Sequence, residues 1–146
     1  MSNEHVAPMY VSRRVKNADD IIAWAESVGF KNILSPEDMH VTLAYSTTPV
    51  DWNKFNAFTL VINNTTNGRK LEHLGDAHVL VLESKLLQKE WQTFIDGGAT
   101  WEYDDYIAHV SITYEVDETL DLSKIEPYSG VVVLGKQVIE DLELDD

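Results

Sequence analysis

No cysteine occurs among the 146 residues. Disulfides, thiolate zinc sites, iron–sulfur clusters and cysteine nucleophiles are excluded together, so any catalysis must come from other side chains. No apolar run approaches the roughly 20 residues that span a bilayer. The opening MSNEHVAPMY also lacks the basic-then-apolar pairing of a secretory signal. The expectation is a soluble, cytoplasmic protein with no membrane partner. Basic residues are scarce as well: 11 Lys and Arg stand against 25 Asp and Glu, for a formal net charge of −14. Such a field repels the backbone of long DNA or RNA, whose binding rests on many cationic contacts. It does not forbid a small nucleotide in a local pocket, because salt screening confines the global field to about 8 Å. The acidic end, with Glu140, Asp141, Glu143, Asp145 and Asp146, reads as a solubilising tail.

With 44% hydrophobic residues the chain is long enough for one domain with a real core, and a division would leave both parts marginal. A single domain over residues 1–146 is expected. Met9 to Val15 alternates, with Met9, Val11, Arg13 and Val15 on one face and Tyr10, Ser12 and Arg14 on the other, which predicts a strand. Asn17 offers an N-cap, Asp19 and Asp20 suit the positive end of a helix dipole, and Ile21, Ile22, Ala25 and Val28 recur at helical spacing up to Gly29. His40 to Tyr45 reads as a second strand. After a turn at Trp52 to Phe55, strands are predicted at Phe58 to Asn63, Lys70 to Leu74 and His78 to Leu82, with a loop at 63–68. Ser84 caps a second helix carrying Leu86, Leu87, Trp91, Phe94 and Ile95, ended by Gly97 and Gly98. Late strands follow at His109 to Tyr114 and Val131 to Leu134, with a last one through Val138 and Ile139. Strands dominate over two amphipathic helices, so the class is α+β with largely antiparallel sheet.

One internal offset aligns several of these features. At a spacing of 69 residues Gly29 matches Gly98, His40 matches His109, Thr42 matches Ser111 and Tyr45 matches Tyr114, while Val41 and Leu43 correspond to Val110 and Ile112. Each copy follows an amphipathic helix that ends at glycine, so the chain reads as two related lobes. Within each copy, period-two geometry puts the histidine and the hydroxyl on one face. Val41, Leu43 and Tyr45, like Val110, Ile112 and Tyr114, are expected to turn the other way into packing. A single His-x-Thr in a strand is most often a half-buried histidine beside a β-former. Two copies at one offset reverse that expectation. An imidazole with an ordinary pKa of about 6.5 can act as acid or base, and a hydroxyl can donate to a phosphate oxygen. Two copies facing each other across a pseudo-twofold axis place one imidazole on each side of a phosphorus. A zinc site built on His40 and His109 lacks further ligands at suitable spacing, so neither metal nor other cofactor is expected. His5, His73 and His78 do not share the pattern and read as structural or surface residues.

The motifs HVTL at His40 and HVSI at His109 resemble the paired His-x-[Thr/Ser] motifs of the 2H phosphoesterase superfamily, whose fold is two pseudo-symmetric α+β lobes around a central cleft. Within it, MYVSRRVKNADDIIAWAESVGF, PEDMHVTLAYSTTPVDW and GGATWEYDDYIAHVSITY resemble the phage anti-CBASS nucleases of the T4 type. The resemblance implies metal-independent hydrolysis of cyclic di- and trinucleotide messengers, small molecules on which a bacterial defence system depends. It further implies that one imidazole takes the proton of a ribose 2′-hydroxyl that attacks phosphorus while the other protonates the leaving 5′-oxygen. Thr42 and Ser111 would hold phosphoryl oxygens. Tyr10 is either a base-stacking residue or an ordinary sheet tyrosine, and Glu140 is either an acceptor for a purine edge or part of the acidic tail. Arg14, on the Tyr10 face, is either a phosphate contact or a solvated charge, the second being the usual case. Two other readings stay open: a 2′,3′-cyclic phosphodiesterase acting on RNA ends, and a module that binds cyclic nucleotides without cleaving them.

Overall fold

The computed structural model describes residues 6–51, 58–63, 65, 67–103 and 105–141. The predicted turn at Trp52 to Phe55, His5 and most of the acidic tail lie outside them. In chain order the elements are β1 (Val6–Val15), α1 (Ala18–Ser27), β2 (His40–Asp51), β3 (Leu60–Ile62), β4 (Arg69–Leu74), β5 (Ala77–Leu82), α2 (Lys85–Asp96), β6 (His109–Thr113) and β7 (Val132–Asp141). They form a four-stranded sheet in the order β2-β1-β7-β3 and a three-stranded sheet in the order β4-β5-β6. All the pairings are antiparallel, so the class is α+β as the patterning predicts. The two late strands foreseen between Val131 and Ile139 are one continuous strand, β7, whose pairing with β1 shifts register at Gly135 and Lys136 without breaking the strand.

Each sheet contains a strand, a helix and an antiparallel return strand, β1-α1-β2 in one and β5-α2-β6 in the other. The helices end alike. The Gly29 N–H donates to the Glu26 carbonyl and the Phe30 N–H to that of Ala25, while Gly98 donates to Ile95 and Ala99 to Phe94, which is the Schellman pattern. Gly29 and Gly98 hold φ of 102° and 104°, a region that costs any residue with a Cβ. The helices start differently. Ser84 caps α2 by accepting from the Leu87 N–H, a bond commonly contributing about 1 kcal/mol. Asn17 precedes α1 without capping it: its side chain donates to the Val131 carbonyl and accepts from the Val133 N–H, tying the helix start to β7.

One hydrophobic core runs under both sheets and takes in Ile21 and Ala25 of α1, Leu87 and Phe94 of α2, and Val41, Leu43, Val110 and Ile112 of the histidine strands. Arg13, on the core face of β1, is only 1% exposed. Its guanidinium donates twice to Glu90 of α2, at 3.0 and 2.8 Å, and to the carbonyls of Phe58 and Gly135 at 2.8 and 2.7 Å. Every side of the buried cation that these groups face is therefore satisfied, as burial of a charge demands. Among the described residues no helix is long and apolar enough to cross a membrane.

Candidate active site

The two histidines open their strands in the same way. Each begins β2 or β6, and the carbonyl of the residue before it accepts a backbone N–H from the partner strand: Val15 to Met39 at 3.0 Å, Leu82 to Ala108 at 2.8 Å. His40 Nδ1 lies 2.8 Å from the Asp38 carbonyl and His109 Nδ1 lies 2.7 Å from the Ile107 carbonyl. A carbonyl only accepts, so both Nδ1 atoms carry hydrogen and both Nε2 atoms hold the lone pair of the neutral ring. Among the described residues neither Nε2 is engaged by a protein hydrogen bond. Both basic atoms are thus available to a ligand.

The segment after each hydroxyl is bent alike. Ser12 pairs with Thr42 but Val11 with Ala44, leaving Leu43 as an extra residue, and Val79 pairs with Ser111 but His78 with Thr113, leaving Ile112 as its counterpart. These are β-bulges at equivalent positions of the two motifs. They overturn the expectation that Tyr45 and Tyr114 pack inward. The extra residue breaks the alternation, so that Leu43 and Ala44 are both buried, as are Ile112 and Thr113, and the tyrosines emerge 40% and 55% exposed. Tyr45 thereby joins the Thr42 side of its strand.

Thr42, Tyr10 and Tyr45 line one cleft of about 640 Å³ together with His109, Ile107, Trp101, Tyr103, Glu102 and Asp105 from the other sheet and its loops. Tyr10 is built into the same face: its hydroxyl is 2.8 Å from the Thr42 hydroxyl, and its ring meets those of His40 and Tyr45 edge-on at 6.2 and 6.1 Å. Burial pushes the Tyr10 phenol above its usual pKa, against the bond to Thr42 and with help from Tyr114 and Glu140. It is a neutral hydroxyl at ordinary pH. Either hydroxyl of the pair can donate, and with Tyr10 donating the threonine hydrogen is left for a ligand oxygen. Behind Thr42, the buried Tyr106 hydroxyl donates to the Thr42 carbonyl at 2.6 Å, joining the loop before β6 to β2. Burial, with Glu90 nearby, raises the Tyr106 phenol still further.

Of the residues singled out from sequence, Thr42, His109 and Tyr10 share this cleft, and His40 adjoins it through the Tyr10 ring. Ser111, half-buried, stands two residues from His109 on β6. Glu140 is exposed on β7 directly across from Tyr10, within the last strand. Arg14 is exposed. His73 is exposed, and His78 is buried with its Nε2 accepting from the Asp117 N–H, so both keep the structural or surface character read from the sequence. Trp101 and Tyr103 went unread as cleft residues, and Tyr106 as the support behind Thr42, since none of them has a counterpart in the repeat. Their only signal is the density of aromatic residues in TWEYDDY. Among the described residues no three His, Asp or Glu side chains are grouped so as to hold a metal ion.

A family model described as "Anti-CBASS protein Acb1" matches residues 7–146. The chain belongs to the anti-CBASS protein Acb1 family. Two relatives of that name, from Sphingomonas paeninsulae and Caulobacter sp. (strain RHG1), are 38% and 37% identical over 94% and 93% of this chain. The chain spans only 23% of the length of each. An Acb1 protein of Escherichia phage RB16 is 29% identical over 81% of this chain and 69% of its own length. The Acb1 match takes in both histidine strands, the cleft and the β7 strand that carries Glu140.

Proposed function

We propose that this chain is a metal-independent phosphodiesterase of the 2H type that opens the 3′–5′ bonds of cyclic di- or trinucleotide messengers, giving linear products and countering CBASS immunity in the cytoplasm of an infected bacterium. The observation that carries this reading is the matched pair of imidazoles, each held through Nδ1 by a carbonyl two residues earlier with Nε2 free. The 69-residue repeat of helix cap, motif and bulge supports two pseudo-symmetric lobes within a single domain. The family name and the net charge of −14 support a small cyclic ligand over long nucleic acid.

In the first step the neutral Nε2 of one histidine takes the proton of the ribose 2′-hydroxyl, and the 2′-oxygen forms a bond to phosphorus. The bond from phosphorus to the 5′-oxygen breaks, and the Nε2–H of the other, protonated histidine supplies the proton that oxygen needs. The 2′,3′-cyclic phosphate so formed is opened by water with the two imidazoles in exchanged roles. Thr42 and Ser111 donate to the non-bridging oxygens as charge builds on them. Tyr10 holds the Thr42 hydroxyl in place, and Glu140, opposite Tyr10, accepts from a base edge.

Incubating the chain with a panel of cyclic oligonucleotides, and with RNA ending in a 2′,3′-cyclic phosphate, tests the substrate class by mass analysis of the products. Linear products from the cyclic dinucleotides are expected, with turnover surviving exhaustive chelation. Preferential opening of the RNA end would assign the site to RNA processing, and recovery of intact ligand bound to the protein would make it a binding module. Turnover lost to EDTA and restored by a divalent ion would sink the metal-free mechanism.

A further inference from the structure

The wall of the cleft that comes from the α2–β6 connection has a chemistry of its own. Trp101 is half-buried and fixed from several sides: its indole N–H donates to the Asp105 carbonyl at 3.1 Å, and its ring meets Trp91, Tyr106 and Tyr103 at 6.1, 5.6 and 5.9 Å. Trp91 and Tyr106 are themselves stacked, 5.5 Å apart and 10° from parallel. The preceding residue is anchored to β2, with the Thr100 N–H donating to the Ser46 hydroxyl and the Thr47 N–H to the Thr100 hydroxyl, both at 3.0 Å. On this rigid base Tyr103 stands 68% exposed in the cleft lining, flanked by the exposed carboxylates of Glu102 and Asp105.

We infer that Trp101 and Tyr103 form a stacking platform for one nucleobase of the substrate, and that Glu102 and Asp105 select bases whose edge carries an amino group. This rests on the cyclic-nucleotide reading above and names its specificity subsite. An aromatic face takes any base, and because the rings are already ordered, little conformational entropy is lost on binding. Two carboxylates beside the platform repel phosphate, so it is the base that sits there. A carboxylate only accepts, so it suits the paired N–H groups of guanine or the amino group of adenine. Uracil offers a single ring N–H set between two carbonyl oxygens, which the carboxylates repel.

The test uses the full chain with 3′,3′-cyclic GMP–AMP and 3′,3′-cyclic di-UMP as substrates. Tyr103→Ala is expected to raise KM for the purine ligand about 10-fold while kcat holds, the loss of one stacked base. Tyr103→Phe, which keeps the ring, should restore KM. Glu102→Gln, which adds a donor, should narrow the preference for the purine ligand over the uracil one. Circular dichroism of each variant separates these effects from misfolding, and exposed Tyr103 is a position where folding should survive. Unchanged KM in Tyr103→Ala, or a wild-type preference for cyclic di-UMP, would overturn the platform while leaving the phosphodiesterase reading intact. Failure of the wild-type chain to bind or cleave either ligand would overturn both.

Discussion

The two histidine strands and the two loops that lead into them contrast sharply. The strands agree in detail: an Nδ1–carbonyl bond two residues back, a hydroxyl two residues on, a bulge at Leu43 or Ile112, and an emergent tyrosine. The loops share their Schellman start and the carbonyls at their ends that hold the histidines, and differ in between. Between Gly29 and His40 the chain reads FKNILSPEDM, with Pro36–Asp38 in a single 3₁₀ turn. From Gly98 to His109 it carries Trp101, Tyr103 and Tyr106, and turns aromatic and acidic side chains into the cleft. On the function proposed above, the groups that would act symmetrically on a phosphorus are the duplicated ones, and those that would recognise one base stand on one side only.

If the duplicated part works as a unit, its two members should be equally indispensable. His40→Ala and His109→Ala are each expected to lower kcat by on the order of 100- to 10,000-fold, the range for loss of a general acid or base. The double variant should be little worse than the poorer single one, because groups acting on one transition state are strongly non-additive. Single-turnover rates on a cyclic dinucleotide measure this, and full activity in either single variant would remove the paired assignment.

The likeness has one charged exception. At the repeat spacing Arg13 corresponds to Leu82 and Glu90 to Ile21, so an ion pair in one place answers to two buried aliphatic residues in the other. Arg13→Leu should therefore destabilise the fold by about 3–5 kcal/mol, since it leaves the largely buried Glu90 carboxylate without its cation, with the neutral Gln137 amide donating to it. Arg13→Leu combined with Glu90→Ile should cost less than the single change, although the Phe58 and Gly135 carbonyls still lose their donors. Denaturant unfolding of the three proteins reads the difference. A double variant less stable than Arg13→Leu would mean that Glu90 holds α2 to the sheet through the Gln137 amide, which donates to it at 2.6 Å, and not through its pairing with Arg13.

Periodicity made the secondary structure legible because each element is amphipathic on one side only: the alternation of β1 and the helical spacing in α1 survive in the fold. The repeat made the candidate site legible, since His-x-Thr and His-x-Ser at one offset name four residues without any knowledge of pairing. Register was not legible. A bulge is a property of two strands together, and nothing in HVTLAY says that Leu43 lies opposite no residue of β1. Period-two counting thus sent Tyr45 and Tyr114 to the wrong face. Asn17 shows the same limit, for its composition suits a cap and only the arrival of β7, more than a hundred residues later, gives its amide better partners.

The hydroxyls offer a finer division between the two sides. Thr42→Ala and Ser111→Ala should each reduce turnover by about 10- to 1000-fold, the cost of one donor to developing charge. Thr42 is buttressed by the Tyr10 hydroxyl at 2.8 Å, whereas on the other side the residue at the spacing of Tyr10 is Val79. A double-mutant cycle should therefore find Tyr10→Phe coupled to Thr42→Ala and nearly additive with Ser111→Ala. Equal coupling to both would show that Tyr10 acts on the substrate as a whole and not through Thr42.

The smallest effect tests the likeness at its structural root. Gly29 and Gly98 hold nearly the same φ, and in both cases the conformation lets the following residue bond back to the last turn of its helix. An added Cβ would meet nothing within 4 Å at Gly98 and only the Leu120 side chain, at 3.7 Å, at Gly29. Neither site is crowded, so the cost of Gly→Ala comes from the left-handed backbone alone, about 1–2 kcal/mol less the entropy that alanine removes from the unfolded chain. Gly29→Ala and Gly98→Ala should thus lower stability by similar amounts, close to 1 kcal/mol each, and combine additively because the two caps share no partner. Thermal or denaturant unfolding resolves this. A markedly larger loss at Gly29 would mean that Leu120 cannot yield, and that the two helix ends, alike in hydrogen bonding, differ in how tightly the rest of the chain is packed over them.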